Sequence, residues 1–131
     1  MKYSLRSLFF ATTVIAAVLG RMRYLHCQAQ YHDRNFERIV QILDERPKMG
    51  CGSSGLLKRE MDWLLEGGQK LRVVPKIANS RQYFIFETDL YGVIVTSQDA
   101  DEFRQALYHR RLANAYGQAV CRPWTIVDET P

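Results

Sequence analysis

The chain has 131 residues, of which 47% are apolar and 24% charged, values typical of a protein with one globular domain. All of its formal net charge of +4 comes from four basic residues that flank an N-terminal apolar stretch: Lys2, Arg6, Arg21 and Arg23. Beyond them the chain carries 14 basic and 14 acidic residues. A neutral domain lacks the basic surface with which proteins bind nucleic acid, so we expect no nucleic-acid partner.

The three cysteines have neither zinc-binding spacing nor the even number of a complete disulfide framework. Cys27, Cys51 and Cys121 are odd in number, and none has the spacing of a C-x-x-C or Cys/His zinc motif. Three reduced thiols are the simplest interpretation. The alternative is one disulfide, which requires that the domain lie in an oxidising compartment.

The apolar segment, Ser7–Gly20, reads SLFFATTVIAAVLG and contains no charged residue. As a helix it is about 21 Å long, against a hydrocarbon thickness of about 30 Å. If Arg6 and Arg21 extend toward the headgroups, the span from Tyr3 to Tyr24 reaches about 33 Å, with a tyrosine at each interface. The sequence therefore predicts a single-pass membrane anchor within residues 1–23. Basic residues lie on both sides of the segment, so the side on which the domain lies stays undetermined.

A cleaved signal peptide is the main alternative for this segment, because it has a basic start, a short apolar centre and small residues at its end. The protein would then be secreted after cleavage. Arg21 and Arg23 would directly follow the cleavage site, where positive charge hinders export, so a retained anchor is favoured. A third possibility is a soluble protein with a buried N-terminal helix.

A juxtamembrane helix is predicted over residues 24–45. Residues at alternating steps of three and four form one helical stripe: Met22, Leu25, Ala29, His32, Phe36, Ile39 and Leu43. The simplest interpretation is one helix that continues from the membrane to about Glu45 and ends at Arg46-Pro47. A break at His32–Asp33, with Asp33 capping a second helix, is the alternative.

Residues 46–131 are expected to form a small α+β domain. A helix is predicted over Leu56–Glu66, with Gly67-Gly68 as its stop signal. A short strand, Leu71–Val74, ends at Pro75, which indicates an edge position. Two runs rich in β-branched and aromatic residues, Tyr83–Glu87 and Gly92–Thr96, predict an antiparallel hairpin.

The last predicted helix begins after Ser97, where Asp99 and Glu102 have the spacing of a capping box. Its apolar face changes direction near Tyr108. We therefore expect its first half to cover the hairpin and its second half to pack on the juxtamembrane helix. The predicted fold is α+β: an N-terminal transmembrane helix, then a small domain with a three-stranded antiparallel sheet and flanking helices.

The loop Gly50–Gly55 matches the G-x-G-x-x-G pattern of nucleotide-binding loops. It lacks the preceding strand and the later acidic residue that the fingerprint requires, so a flexible connector is the better interpretation. Cys51 within it becomes a candidate nucleophile only if a histidine lies close to it. The candidates are His26, His32 and His109. A small Cys-dependent enzyme or a nucleotide-binding domain is therefore kept as the alternative function.

The remaining polar residues have structural explanations. Glu60 and Asp62 are interpreted as helix-start and solvated carboxylates, and Arg110-Arg111 as a solvated edge. Trp124, after Pro123, is expected to fold back onto the domain as an apolar clasp. The sequence thus predicts no catalytic, cofactor-binding or metal-binding residue, and no cofactor.

The two ends of the chain carry a further signal. The start reads YSLRSLFFATTVIAAVLG, and the C-terminal stretch carries a spaced set of residues: Tyr108, His109, Leu112, Tyr116, Ala119, Pro123 and Trp124. These ends resemble those of uncharacterised small membrane-anchored proteins of planctomycete bacteria. Ala115, where a basic residue is expected, and Cys121 depart from that pattern. The resemblance covers about a third of the chain and implies a membrane anchor, but it implies no activity.

Together these features predict a single-pass protein of the cytoplasmic membrane, and the resemblance implies a bacterial one. The expected role is a membrane-tethered protein-binding or structural module, and not an enzyme. Its expected partners are membrane lipid and an unidentified protein.

Overall fold

The computed structural model describes residues 5–45, 54–67, 71–78, 81–90 and 92–130. Three helices and three strands follow one another in chain order: α1 (Leu5–Glu45), α2 (Ser54–Glu66), β1 (Arg72–Ala78), β2 (Arg81–Glu87), β3 (Gly92–Thr96) and α3 (Ala100–Val120). The predicted α+β class is confirmed. A long apolar N-terminal helix precedes a small domain built on a three-stranded antiparallel sheet.

Helix α1 is continuous over its 41 residues, so the simpler of the two predictions for this region is confirmed. No break occurs at His32–Asp33. The reason is local, because the stretch from Arg21 to Glu45 contains neither proline nor glycine and its apolar stripe is uninterrupted.

Contacts within the chain define two compact units. The first consists of Met1–His32 and Leu112–Pro131, and the second of Asp33–Arg111. Helices α1 and α3 each contribute residues to both units.

The hydrophobic core of the second unit lies on one face of the sheet, whose strand order is β1-β2-β3. Phe36 from α1, Met61 from α2, Phe86 from β2 and Phe103 from α3 are all fully buried in one cluster. The Phe86 and Phe103 rings lie 4.7 Å apart. The prediction that the first half of α3 covers the hairpin is therefore confirmed.

Strand β1 is an edge strand, as Pro75 indicated, but the prediction that the strand ends at Pro75 is wrong. It continues to Ala78, and Pro75 pairs with Phe84 of β2. An edge strand has one row of backbone groups without a strand partner, so a proline is tolerated there.

In the first unit, the second half of α3 packs against the part of α1 that follows the apolar segment. Leu25 of α1 and Leu112 and Tyr116 of α3 are buried. The His32 imidazole stacks on the Tyr116 ring at 5.6 Å between centroids, with the ring planes 9° apart. The predicted contact between the second half of α3 and the juxtamembrane helix is confirmed.

The helix ends follow the sequence signals. Asp99 directly precedes α3, and its carbonyl accepts a hydrogen bond from the Phe103 amide at 2.9 Å. Its carboxylate accepts the Thr96 hydroxyl at 2.7 Å. At the end of α2, the Gly67 amide donates to the Trp63 carbonyl at 2.8 Å.

Candidate functional site

The first half of α1 presents an uncovered apolar surface. The side chains of its seven large apolar residues within the apolar segment are between 41% and 74% exposed: Leu8, Phe9, Phe10, Val14, Ile15, Val18 and Leu19. Among the described residues, α1 is the one helix long and apolar enough to cross a membrane, and its most apolar stretch has no buried residue. Length and composition are thus compatible with a single-pass anchor. A signal sequence has the same properties.

The two threonine hydroxyls of the apolar segment are satisfied inside the helix. Thr12 Oγ1 and Thr13 Oγ1 both donate to the Phe9 carbonyl, at 2.9 and 2.8 Å. A hydroxyl bonded to the backbone of its own helix can enter hydrocarbon without leaving a hydrogen-bond donor unsatisfied. These threonines therefore do not oppose transfer of the segment into lipid.

Arg21, the first residue after the apolar segment, contacts the C-terminal tail. Its Nε donates to the Pro123 carbonyl, and its Nη2 donates to the Thr125 carbonyl at 3.3 Å. The sequence predicts Arg21 at the headgroup level, whereas the structure adds these two backbone acceptors. Carbonyl groups more than a hundred residues away carry no sequence signal that could have revealed the contact.

A buried aromatic cluster follows along α1. Besides stacking on Tyr116, His32 contacts the edge of the Tyr31 ring at 5.2 Å, and the Tyr116 hydroxyl donates to Glu129 Oε1 of the tail. Burial lowers the pKa of His32 below its usual 6.5, and the negative charge of Glu129 opposes that shift in part. The imidazole is thus kept in its neutral, packing form. His32, which fills the one gap in the apolar stripe of α1, is thus buried with that stripe.

The other histidines and cysteines are dispersed. His26 is exposed and its Nε2 lies 3.0 Å from Gln30 Nε2. The half-buried His109 contacts the Tyr108 ring at 5.6 Å. Cys27 and Cys121 are exposed free thiols. Cys51 and the residues before Ser54 in the Gly50–Gly55 loop lie outside the described residues, so the alternative built on them stays a prediction.

The Arg110 side chain is less exposed than the sequence predicts. Its side chain is only 21% exposed, and its Nε and Nη1 donate to Asp62 Oδ1 at 2.7 Å and Asp33 Oδ1 at 3.1 Å. Its guanidinium also lies 5.1 Å from the centre of the Phe36 ring. The prediction of a solvated edge is wrong for Arg110, because α3 places its guanidinium between α1 and α2, where it binds the half-buried Asp62.

This cluster joins three helices of the second unit by charge-assisted hydrogen bonds. Arginine can bind two carboxylates and stack on an aromatic ring at the same time, which a lysine cannot reproduce. Both carboxylates are satisfied by the guanidinium. We therefore assign the cluster a structural role.

The outer face of the sheet carries an apolar row across all three strands. Residues alternate between the faces of a strand, so the inward Phe84 and Phe86 place Ile85 on the opposite face. Ile85 pairs with Val74 of β1 and with Ile94 of β3. Ile94 is 65% exposed. This row of Val74, Ile85 and Ile94, named the outer-face row, is an apolar strip on the face of the sheet opposite the core.

Trp124 does not form the predicted clasp. Its side chain is 78% exposed, whereas the preceding Pro123 is buried. The tail does fold back at this point, but the buried proline and the backbone carbonyls make the contact, and not the indole. The prediction is therefore wrong for Trp124.

Among the described residues, no group of three or more His, Cys, Asp or Glu side chains could hold a metal ion. Comparison with known proteins adds no assignment: no protein-family model, no curated protein and no solved structure matches the chain.

Proposed function

We propose that this chain is a single-pass membrane protein in which the first half of α1 spans the bilayer and the second unit binds a protein partner. The observation that carries the proposal is that no residue of the apolar segment is buried in the protein. A helix that is apolar on all sides is stable when buried in a protein core or in lipid. This segment has no protein cover in the described residues, so lipid is the environment that its composition fits.

The dimensions of the helix support the same proposal. From Leu5 to Tyr24 the helix is about 30 Å long at 1.5 Å per residue, enough to cross a bilayer with Arg6 and Arg21 at its two interfaces. Tyr24 is exposed at the end of this span, a position that interfacial tyrosines favour. The resemblance to planctomycete membrane-anchored proteins stays part of the proposal.

The outer-face row supports the binding role. Val74, Ile85 and Ile94 form a continuous apolar row, flanked by the polar pair Lys76–Tyr83 and by Arg72–Glu87. Protein interfaces commonly combine an apolar centre with a polar rim. No catalytic arrangement appears among the described residues that would favour an enzyme over a binding module.

Membrane insertion is tested by fractionation of the full-length protein. We expect it to stay in the membrane pellet after alkaline carbonate and high salt, to dissolve in detergent, and to retain residues 1–23 by intact mass. An arginine near the centre of a spanning helix costs about 3 kcal/mol, so Ile15→Arg should reduce the membrane-bound to free ratio on the order of a hundredfold.

Ile42→Arg is the matched control, because it makes the same substitution at an exposed isoleucine of the second half of α1. It should leave the protein in the membrane. Recovery of the intact wild-type chain in the detergent-free supernatant contradicts the proposal. A shortened chain, cut after the apolar segment, identifies a signal peptide instead.

The binding role is tested in intact membranes with a photo-crosslinking amino acid. Placed at Ile94 on the outer-face row, it should give one discrete adduct. Placed at Gln105, exposed on α3, it should give none. Equal adduct patterns at the two positions contradict a binding role for this face.

A further inference from the structure

The C-terminal tail turns sharply directly after α3. The Thr125 amide donates to the Arg122 carbonyl at 2.9 Å, which closes a four-residue turn. Pro123 occupies the second position, where its fixed φ favours such a turn, and it is buried. Trp124 therefore stands at the third position, on a tip whose base is anchored in the first unit.

Arg21 holds this turn next to the end of the apolar segment of α1. Its guanidinium donates to the Pro123 and Thr125 carbonyls, the two acceptors on either side of Trp124. Arg21 is the residue that follows the apolar segment. The backbone of Trp124 therefore lies near the end of the apolar segment, within reach of one arginine side chain.

The side chains displayed at this level are large and apolar. Trp124 is 78% exposed and Ile126 is 87% exposed. The other tryptophan, Trp63, is half-buried, with the Arg59 guanidinium 4.7 Å from its ring centre. The exposure of Trp124 is thus a property of the turn and not of tryptophans in this chain generally.

We propose that the Arg122–Thr125 turn is a second membrane contact, which inserts Trp124 and Ile126 into the headgroup region beside α1. The proposal rests on the proposed function, because it requires α1 to span the bilayer. Tryptophan favours the interface, where its ring is desolvated and its N–H still finds acceptors. Arg122, in the same turn, and Arg23, two residues after Arg21 on α1, are both exposed and suit anionic headgroups.

This contact also explains the use of Arg21. An arginine at the end of a spanning segment ordinarily extends toward phosphate groups. Here its donors bind the carbonyls of the turn, so the helix end and the tail enter the interface as one unit. The tail is attached a second time through the hydrogen bond from Tyr116 to Glu129.

The test uses the full chain in vesicles of phosphatidylcholine with about a third phosphatidylglycerol. The acyl chains carry bromine either near the carbonyl group or near the terminal methyl group. The chain has two tryptophans, so Trp63→Phe isolates the fluorescence of Trp124. We expect shallow bromine to quench Trp124 at least about twofold more than deep bromine, since tryptophan lies at the interface.

Trp124→Phe is the matched control, because the quenching of the Trp63 fluorescence that remains gives the background to subtract. The difference between the wild type and Trp124→Phe gives the same answer without substitution of Trp63. Arg21→Gln should reduce the quenching of Trp124, whereas Arg23→Gln should retain it.

Flotation of the vesicles separates the two proposals. Protein that floats while Trp124 remains unquenched by either lipid overturns the membrane contact alone and leaves the exposed pair to a protein partner. Protein that does not float overturns the spanning role of α1 and the turn contact with it. Undiminished quenching in Arg21→Gln overturns the role given to Arg21.

Discussion

The two halves of α1 belong to one continuous helix, but apolar side chains are exposed in the first half and buried in the second. In the first half, large apolar side chains such as Phe9 and Phe10 are exposed, and the stretch has no buried residue. In the second half, Phe36, Val40 and Leu43 are buried in the core of the second unit. Backbone conformation is the same in both halves, so the side-chain pattern alone accounts for the difference.

The spacing of the apolar residues explains this contrast. In the second half they recur every three or four residues and form a stripe that the sheet, α2 and α3 cover. In the first half they lie on all sides, as the neighbouring Phe9 and Phe10 illustrate. A stripe is satisfied by a protein core, whereas apolar residues on all sides require a surrounding apolar solvent.

Replacing one phenylalanine by alanine in each half tests this contrast most directly. Phe36→Ala removes a fully buried ring and should lower the free energy of unfolding by about 3–5 kcal/mol. Phe9→Ala should change it by less than about 0.5 kcal/mol, because the ring contributes to no protein core. Urea unfolding in mild detergent, followed by circular dichroism, measures both variants.

Membrane retention of the same two variants gives a second test of this contrast. Phe9→Ala should weaken retention in membranes, since about 2 kcal/mol of apolar burial in lipid is lost with the ring. Phe36→Ala should not change retention. Equal destabilisation by both substitutions contradicts the contrast, because it requires a protein cover over the first half.

The sequence allowed most of the fold to be predicted, because each element has a local signal. The α1 stripe, the hairpin and the start of α3 at Asp99 all follow from residues within a few positions. The extension of β1 beyond Pro75 was missed, since the rule against proline in strands does not hold at an edge.

The contacts of charged residues could not be predicted in the same way. Arg110 pairs with Asp62 and Asp33, which lie 48 and 77 positions away in the chain. The local pattern Arg110-Arg111 is equally compatible with exposure or pairing. One usable signal was present. Arg110 lies three positions after the core residue Leu107 and seven after the core residue Phe103, so the three residues share one side of the helix.

The Arg110 cluster tests how the second half of α1 is held. Arg110→Met keeps the apolar stem but leaves the two carboxylates without their cation, and should cost about 1–2 kcal/mol of unfolding free energy. The cost is moderate because Asp33 and Asp62 retain partial access to water. The same urea titration measures it.

Arg111→Met is the matched control, because Arg111 is the exposed neighbour in the same helix. Its effect should stay within about 0.5 kcal/mol. If both methionine variants behave alike, the ion pairs of Arg110 contribute nothing measurable to the packing of α1.

The smallest expected effect concerns His32, the buried polar residue between the two halves. Burial lowers its pKa in the folded chain below the 6.5 of the unfolded chain. Between these two pKa values the unfolded state binds more protons, so stability rises with pH through this window. Above about pH 6.5 the effect is complete, and it is lost progressively as the pH falls below that value.

His32→Phe keeps an aromatic ring against Tyr116 and removes the titration. Relative to this variant, the wild type should lose stability on acidification below about pH 6.5, with a slope below the limit of about 1.4 kcal/mol per pH unit for one proton. Glu129→Gln should steepen the loss, because the carboxylate charge favours the imidazolium. Parallel pH profiles for the wild type and His32→Phe, from thermal unfolding in detergent, contradict burial of a neutral imidazole. The His32 imidazole would then keep its usual contact with water in the folded chain.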